Sequence, residues 1–123
     1  MLEALTHTRQ IPGEKLRIWY TSIEMDLIVW FAEAGAPIEF ELCYDKGSYE
    51  KSLRYSNSGV VHSALDSGEN KSGKHKLTPV LRESTKCNVD RLYRLFIAEA
   101  KQLPDEIKNF VIVGLERYTS TQQ

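Results

Sequence analysis

The fold of this chain is decided by residues 25–56, which read MDLIVWFAEAGAPIEFELCYDKGSYEKSLRYS. Apolar and polar residues alternate along this stretch with a period of two, and clusters of turn-forming residues interrupt the alternation, which is typical of successive β-hairpins. A four-residue loop over 33–36 sets the first register, and a slip of one residue would move glutamates onto the apolar face. The pairs predicted on that face are Phe31 with Ile38, Val29 with Phe40, and Leu27 with Leu42.

A second turn is predicted at Lys46-Gly47, where glycine supplies the positive φ that a tight turn requires. It adds three pairs to the apolar face: Tyr44 with Tyr49, Phe40 with Leu53, and Ile38 with Tyr55. On the opposite face Glu39 would then lie across from Arg54, a favourable pair of charges. A third turn over 56–59 places His62 opposite Leu53, on the apolar side.

The same alternation extends outward on both sides and predicts an antiparallel β-meander of about five to six strands over residues 16–82. Residues 1–15 are expected to form an N-terminal arm, and the polar segment 67–76, with Lys71, Lys74, His75 and Lys76, is interpreted as a solvated loop. The strands are predicted at Arg17–Thr21, Met25–Ala32, Pro37–Asp45, Ser48–Ser56, Gly59–Leu65 and, as an edge strand because of its proline, Pro79–Arg82.

The period changes after Cys87, and residues 88–120 show the spacing of two helices. Asn88 is a plausible N-cap, and Pro104 stops the first helix, which predicts a helical hairpin or one sharply kinked helix. The chain is therefore predicted to be a single α+β domain, a meander followed by a helical hairpin. The apolar stripe of the second helix is broad, because Ile112 and Val113 widen it. It indicates either deep burial or a homodimer surface.

Composition excludes several classes of protein. The chain has 123 residues, of which 41% are hydrophobic and 27% charged, with a net charge of −1. This balance gives no reason to expect nucleic acid or an anionic membrane as partner. No run approaches the roughly 18 apolar residues of a membrane span, and residues 1–13 lack the pattern of a secretory signal, so a cytoplasmic protein is expected. Cys43 and Cys87 are expected to be free thiols.

Few residues suggest catalysis or metal binding. The three histidines, His7, His62 and His75, are dispersed, and no metal-ligand spacing or phosphate-binding glycine loop occurs, so neither a metal site nor a cofactor is predicted. Cys43 is the obvious candidate nucleophile. Its expected neighbours are acidic, and negative charges raise the pKa of a thiol, so Cys43 is interpreted as structural.

The non-apolar face of the meander is the most informative candidate site. It should display Trp19, Trp30, Glu39, Glu41 and Arg54, a composition that a merely solvated face does not need. Either the helices or a loop cover this face, or it is a recognition surface, since aromatic residues and arginine dominate binding hot spots.

Two hypotheses of function follow. The first is a non-enzymatic binding or protein-interaction domain, self-associating as a homodimer, with an unknown ligand or partner. The second is a small enzyme or ligand-binding protein with a pocket between sheet and helices, where His62 and a carboxylate such as Asp26 or Glu41 act as acid and base. Convergence of His62 with a carboxylate in one concave site would favour the second.

Three strings carry a family resemblance: Trp19-Tyr20, the DLIVW strand over 26–30, and FELCYDK over 40–46. They resemble a group of small uncharacterised bacterial proteins with an aromatic pair, a DLIVW-like strand and an F-x-LCYDK strand and turn. The resemblance covers about residues 17–53, and the segment 76–79 more loosely. It implies a bacterial protein of unassigned function and brings no catalytic residue with it. The Asp45-Lys46 pair is expected to fix the hairpin.

Overall fold

In the computed structural model, a sheet of antiparallel strands arranged in chain order is followed by two helices. The structure describes residues 1–5, 10, 12–47, 49–64, 83–84 and 87–121. The α+β meander followed by a helical hairpin is thus confirmed. In these ranges the strands are β1 Glu3–Ala4, β2 Leu16–Thr21, β3 Met25–Phe31, β4 Pro37–Tyr44, β5 Lys51–Ser56, β6 Gly59–Ala64 and β7 Glu83–Ser84, and the helices are α1 Val89–Glu99 and α2 Asp105–Thr121.

The β3–β4 register agrees with the prediction at its centre and departs from it at the turn. The pairs Val29 with Phe40 and Leu27 with Leu42 are confirmed, whereas Phe31 pairs with Pro37 and not with Ile38. Gly35 has φ 102° and donates its N–H to the carbonyl of Ala32 at 2.8 Å, which closes a shorter loop than predicted. The loop is one residue shorter than predicted, and the pairing shifts by one residue at an irregularity between Trp30 and Phe31. Such bulges commonly accompany hairpin loops that contain glycine.

The predicted β4–β5 register is wrong by two residues. Phe40 lies opposite Tyr55 and Leu42 opposite Leu53, because β5 begins only at Lys51 and residues 45–50 form a longer connection than a turn at Lys46-Gly47. Tyr44 accordingly pairs with Lys51 and not with Tyr49. A shift by an even number of residues keeps the side chains within the strands on their predicted faces, whereas Tyr49, predicted to face the core, lies before β5 and is 79% exposed. The pair predicted from the third turn, over 56–59, is Leu53 with His62, and it is confirmed.

The two ends of the sheet differ from the prediction or lie beyond it. Glu3–Ala4 pairs with β2 as an additional edge strand, where an N-terminal arm was expected. The neighbouring Leu2 is buried and donates its N–H to the carbonyl of Glu99 at 2.8 Å, which fastens this strand to α1. A two-residue strand is too short to show a period in the sequence. The predicted strand Pro79–Arg82 and the loop over 67–76 lie outside the described residues.

Both helices pack on the apolar face of the sheet. Asn88 caps α1 as predicted, accepting the N–H of Arg91 at 3.1 Å. Residues 100–104 separate α1 from α2, so the two helices form a hairpin. Val113 remains 41% exposed, while Ile112 packs partly buried against the core. The residues that sheet and helices bury together include Leu27, Val29, Phe40, Leu42, Leu53, Leu92, Phe96, Ile107, Val111 and Leu115.

Candidate interaction surface

The sheet face opposite the helices, hereafter the reverse face, brings together the five residues that the sequence predicted to share a surface. Cross-strand pairing places Trp19, Ile28, Glu41, Arg54 and Val61 in one row, and Arg17, Trp30 and Glu39 in the next. Cover of this face by the helices is excluded, because α1 and α2 lie on the other side. Cover by the loop over 67–76 stays untested, because that loop lies outside the described residues. The reverse face is defined by Arg17, Trp19, Ile28, Trp30, Glu39, Glu41, Arg54 and Val61.

Arg54 organises the centre of the reverse face. Its guanidinium carbon lies 4.7 Å from the ring centroid of Trp30. Its Nη2 is 3.4 Å from Glu39 Oε1 and its Nη1 is 3.6 Å from Glu41 Oε1. Because the Arg54 side chain is 47% exposed, solvent screens these pairs, and each contributes at most about 1 kcal/mol to stability. They serve mainly to hold the Arg54 guanidinium over the Trp30 ring.

A depression of about 300 Å³ adjoins this centre. Trp30, Glu39 and Arg54 form its sheet side, and Gly13 to Lys15 form its rim. Lys15 Nζ lies 3.5 Å from Glu39 Oε2, so Glu39 is held between two cations. The segment before β2 therefore contributes to the surface, which the strand pattern alone does not indicate.

At the far end of the reverse face Asp26 has a structural role. Its Oδ1 accepts hydrogen bonds from Thr21 Oγ1 at 2.6 Å and from Lys46 Nζ at 2.9 Å. Lys46 also donates to the carbonyl of Ser22 at 2.8 Å. Lys46 thus ties the β4–β5 connection to the β2–β3 turn, which is a different turn from the hairpin that the Asp45-Lys46 pair was expected to fix.

Cys43 lies beside Asp26 and is not activated. Burial is the main reason that its pKa is raised to about 12, and the charges of Glu41, Glu50 and Asp26 raise the pKa further. The predicted direction of this shift is confirmed, although burial outweighs the acidic neighbours. At neutral pH the group is a thiol, whereas nucleophilic attack requires the thiolate.

His62 does not meet the carboxylates proposed as its partners. It is 2% exposed on the core side, with Nε2 2.7 Å from the hydroxyl of Tyr44 and its ring 6.2 Å from that of Tyr118. Asp26 and Glu41 lie on the reverse face, because Asp26 pairs with Cys43 and Glu41 with Arg54. The predicted pocket using His62 with Asp26 is therefore not formed, since alternate strand residues point to opposite faces.

One ionic cluster was missed from the sequence. Arg91 of α1 donates two hydrogen bonds to Asp45, Nη2 to Oδ1 at 2.6 Å and Nη1 to Oδ2 at 3.2 Å, and Lys51 Nζ donates to Oδ2 at 2.8 Å. The hydrogen bonds from Arg91 are the main cause that holds the pKa of Asp45 below its ordinary value. Asp45 and Arg91 are far apart in the chain, so no local sequence pattern predicts their contact. It fastens α1 to the end of the sheet.

Comparison of the chain with protein-family models, with curated proteins and with solved structures finds no match. The described residues contain no group of three or more His, Cys, Asp or Glu side chains that could hold a metal ion. Neither α1 nor α2 is long and apolar enough to cross a membrane. The function is therefore argued from the geometry of the reverse face.

Proposed function

We propose that this protein is a non-enzymatic interaction domain that self-associates through its reverse face. The proposal rests on one observation: Arg54 lies over the Trp30 ring and is flanked by Glu39 and Glu41, on the side of the sheet opposite the helices. Tryptophan and arginine are the residues most enriched in binding hot spots. Here they lie on a rigid central part of the sheet, so little side-chain freedom is lost when a partner docks.

The charges of the reverse face support a second copy of the chain as the partner. Arg17 and Arg54 are balanced by Glu39 and Glu41 across two neighbouring rows. A face without net charge neither attracts a polyanion nor repels its own copy. If two copies meet face to face across a twofold axis, Arg54 of one copy can approach Glu39 and Glu41 of the other. By symmetry each such contact then occurs twice.

The cellular setting belongs to the same proposal. Cys43 and Cys87 are free cysteines, and free thiols are usual in reducing compartments. A cytoplasmic homodimer is consistent with the free thiols and with the balanced charges of the reverse face. The enzyme alternative lacks support from geometry, because both proposed acids, Asp26 and Glu41, lie on the opposite side of the sheet from His62.

Sedimentation velocity over a range of protein concentrations tests the proposal. The wild-type chain should show a monomer–dimer equilibrium, and Arg54→Glu should weaken it about tenfold or more, because three carboxylates then share the face and repel the partner. Arg94→Glu is the matched control: it makes the same charge change at an exposed position of α1 and should leave association unchanged. Circular dichroism should show both variants folded.

Two results would overturn the proposal. One is a wild-type chain that stays monomeric at the highest concentration. The other is loss of association in Val113→Asp but not in Arg54→Glu, because Val113 lies on the exposed side of α2. The second result would transfer the interface to the helices, the alternative that the broad apolar stripe indicates.

A further inference from the structure

The reverse face has two ends, which present different charges. At one end, hereafter the Glu50 end, the β2–β3 turn and the β4–β5 connection lie side by side and are joined by the hydrogen bonds of Lys46. At the other, hereafter the Lys15 end, the segment before β2 adjoins Trp30 and Glu39. Strand β3 runs from the Glu50 end to the Lys15 end over seven residues, so the two ends lie roughly 20 Å apart.

Glu50 lies directly before β5, and its carboxylate has no hydrogen bond or ion pair among the described residues. The charges of Asp26 and Glu41 act on this carboxylate, which places it on the reverse side of the sheet. Partial burial is the main cause that raises the pKa of Glu50, and these two charges raise it further. Lys46 opposes them, but its ammonium is already bound by Asp26 at 2.9 Å. The Glu50 end therefore presents a carboxylate that no described cation pairs with.

The Lys15 end exposes cations above a more deeply placed carboxylate. The side chains of Lys15 and Arg54 are 51% and 47% exposed, whereas Glu39, which both of them contact, is 14% exposed. Glu14 is the one exposed carboxylate among the described residues that line the depression beside Trp30. A partner that approaches this depression meets two exposed cations and one exposed carboxylate.

Two arrangements of a face-to-face pair are compatible with the way sheets pack. Stacked sheets keep their strands within about 30° of each other, so a twofold axis in the interface runs either along the strands or across them. An axis along the strands brings the Glu50 end of each copy against the same end of the other, where carboxylates meet carboxylates. An axis across the strands brings the Glu50 end against Lys15 and Arg54. Because juxtaposed like charges oppose association, the charges favour the second arrangement.

We infer that two copies pack with their strands antiparallel across the reverse face, so that Glu50 of each copy completes the depression at the Lys15 end of the other. The inference rests on the proposed self-association and adds to it the orientation of the two copies. Symmetry makes the contact of Glu50 with Lys15 occur twice. Arg54 lies near the centre of the face, so its replacement tests association, whereas changes at the two ends test orientation.

Charge reversals at the two ends test the orientation by sedimentation velocity of the full chain. Lys15→Glu and Glu50→Lys should each weaken association about tenfold, because each places like charges at two symmetric contacts. A chain that carries both changes has opposite charges at both contacts again, so its association should return to within about threefold of the wild type. Lys101→Glu, at an exposed position between α1 and α2, makes the same change of charge as Lys15→Glu and should have no effect.

Neutral variants accompany the reversals, and circular dichroism should show all of them folded. Lys15→Gln and Glu50→Gln remove one charge without introducing repulsion, and each should weaken association about threefold. They carry the test if a reversal disturbs the fold. Glu14→Gln removes the exposed carboxylate from the rim, so it should associate at least as tightly as the wild type.

Three results would overturn the inferred orientation. If Arg54→Glu weakens association while Lys15→Glu and Glu50→Lys do not, the axis runs along the strands, and the proposed self-association stands without this orientation. If both single reversals weaken association and the double variant does not recover it, the two ends do not meet. A wild-type chain that stays monomeric would remove the orientation together with the proposed function.

Discussion

Helix α2 closely approaches the sheet at Gly114, and replacing this residue with alanine tests how the core is built. A Cβ added there would lie 2.4 Å from Cε2 and 2.7 Å from Cζ of Phe40. Carbon atoms pack at about 3.5–4.0 Å, so the ring or the helix must move by roughly 1 Å. Phe40 is fully buried, and its ring is bounded by Tyr55 and Phe110 at 5.7 Å each, which leaves it no open side.

Two opposing effects set the magnitude of the Gly114→Ala change. Alanine favours the helix over glycine by about 1 kcal/mol, whereas inserting a methyl group into a packed core costs about 1–3 kcal/mol. With a contact as short as 2.4 Å, the cost should lie at the upper end. The net expectation is a loss of about 2 kcal/mol of unfolding free energy, which for a chain of this size lowers Tm by roughly 6–10 °C.

Urea and thermal unfolding of four proteins would measure the effect: the wild type, Gly114→Ala, Phe40→Leu and the double variant. Phe40→Leu removes the ring atoms that the new methyl meets, so Gly114→Ala should cost less in that background, with a coupling energy of about 1–2 kcal/mol. Asn109→Ala, at an exposed position of the same helix, controls for helix propensity. A Gly114→Ala variant more stable than the wild type would refute the close packing, since propensity alone would then decide.

Two further predictions concern polar contacts of the core side. Asp45→Asn should lower the free energy of unfolding by about 1 kcal/mol at neutral pH. Because Arg91 lowers the pKa of Asp45 in the folded state, this difference from the wild type should persist above the ordinary pKa of Asp and disappear as the pH falls through the lowered pKa. Urea titrations at a series of pH values can follow it. His62→Leu should lower the free energy of unfolding by about 1–3 kcal/mol, because it removes a buried partner of the Tyr44 hydroxyl. Adding Tyr44→Phe should recover part of that loss in equilibrium unfolding. A double variant whose effects are strictly additive would contradict the contact.

Side-chain direction within the strands was predictable from the sequence, whereas the register across the β4–β5 connection was not. Alternation between Leu27, Val29 and Phe40 determines which residues face the core, and that information is local. The length of the connection after Tyr44 depends on distant contacts, of Asp45 with Arg91 and of Lys46 with Asp26. The preference for the shortest turn therefore led to a register shifted by two residues. The face assignments within the strands remained correct, whereas Tyr49, predicted to face the core, is exposed.

The same distinction explains what could be predicted of the candidate site. Trp30, Glu39 and Arg54 meet on one face because their strand positions share a parity, and the expected Glu39–Arg54 pair survives the shift as a diagonal contact at 3.4 Å. The failed pairing of His62 with Asp26 was also decided by parity: Leu53 opposite His62 and Cys43 opposite Asp26 already implied opposite faces.

The two faces of the sheet place different demands on the sequence, and this separation makes the proposed function testable. On the core side, Gly114 packs so closely on Phe40 that an added Cβ would lie 2.4 Å from the ring, so changes there alter folding. On the reverse face, Arg54 makes screened contacts worth little to stability, so its replacement should leave the fold intact. An effect of Arg54→Glu on association can therefore be attributed to the surface itself and not to unfolding.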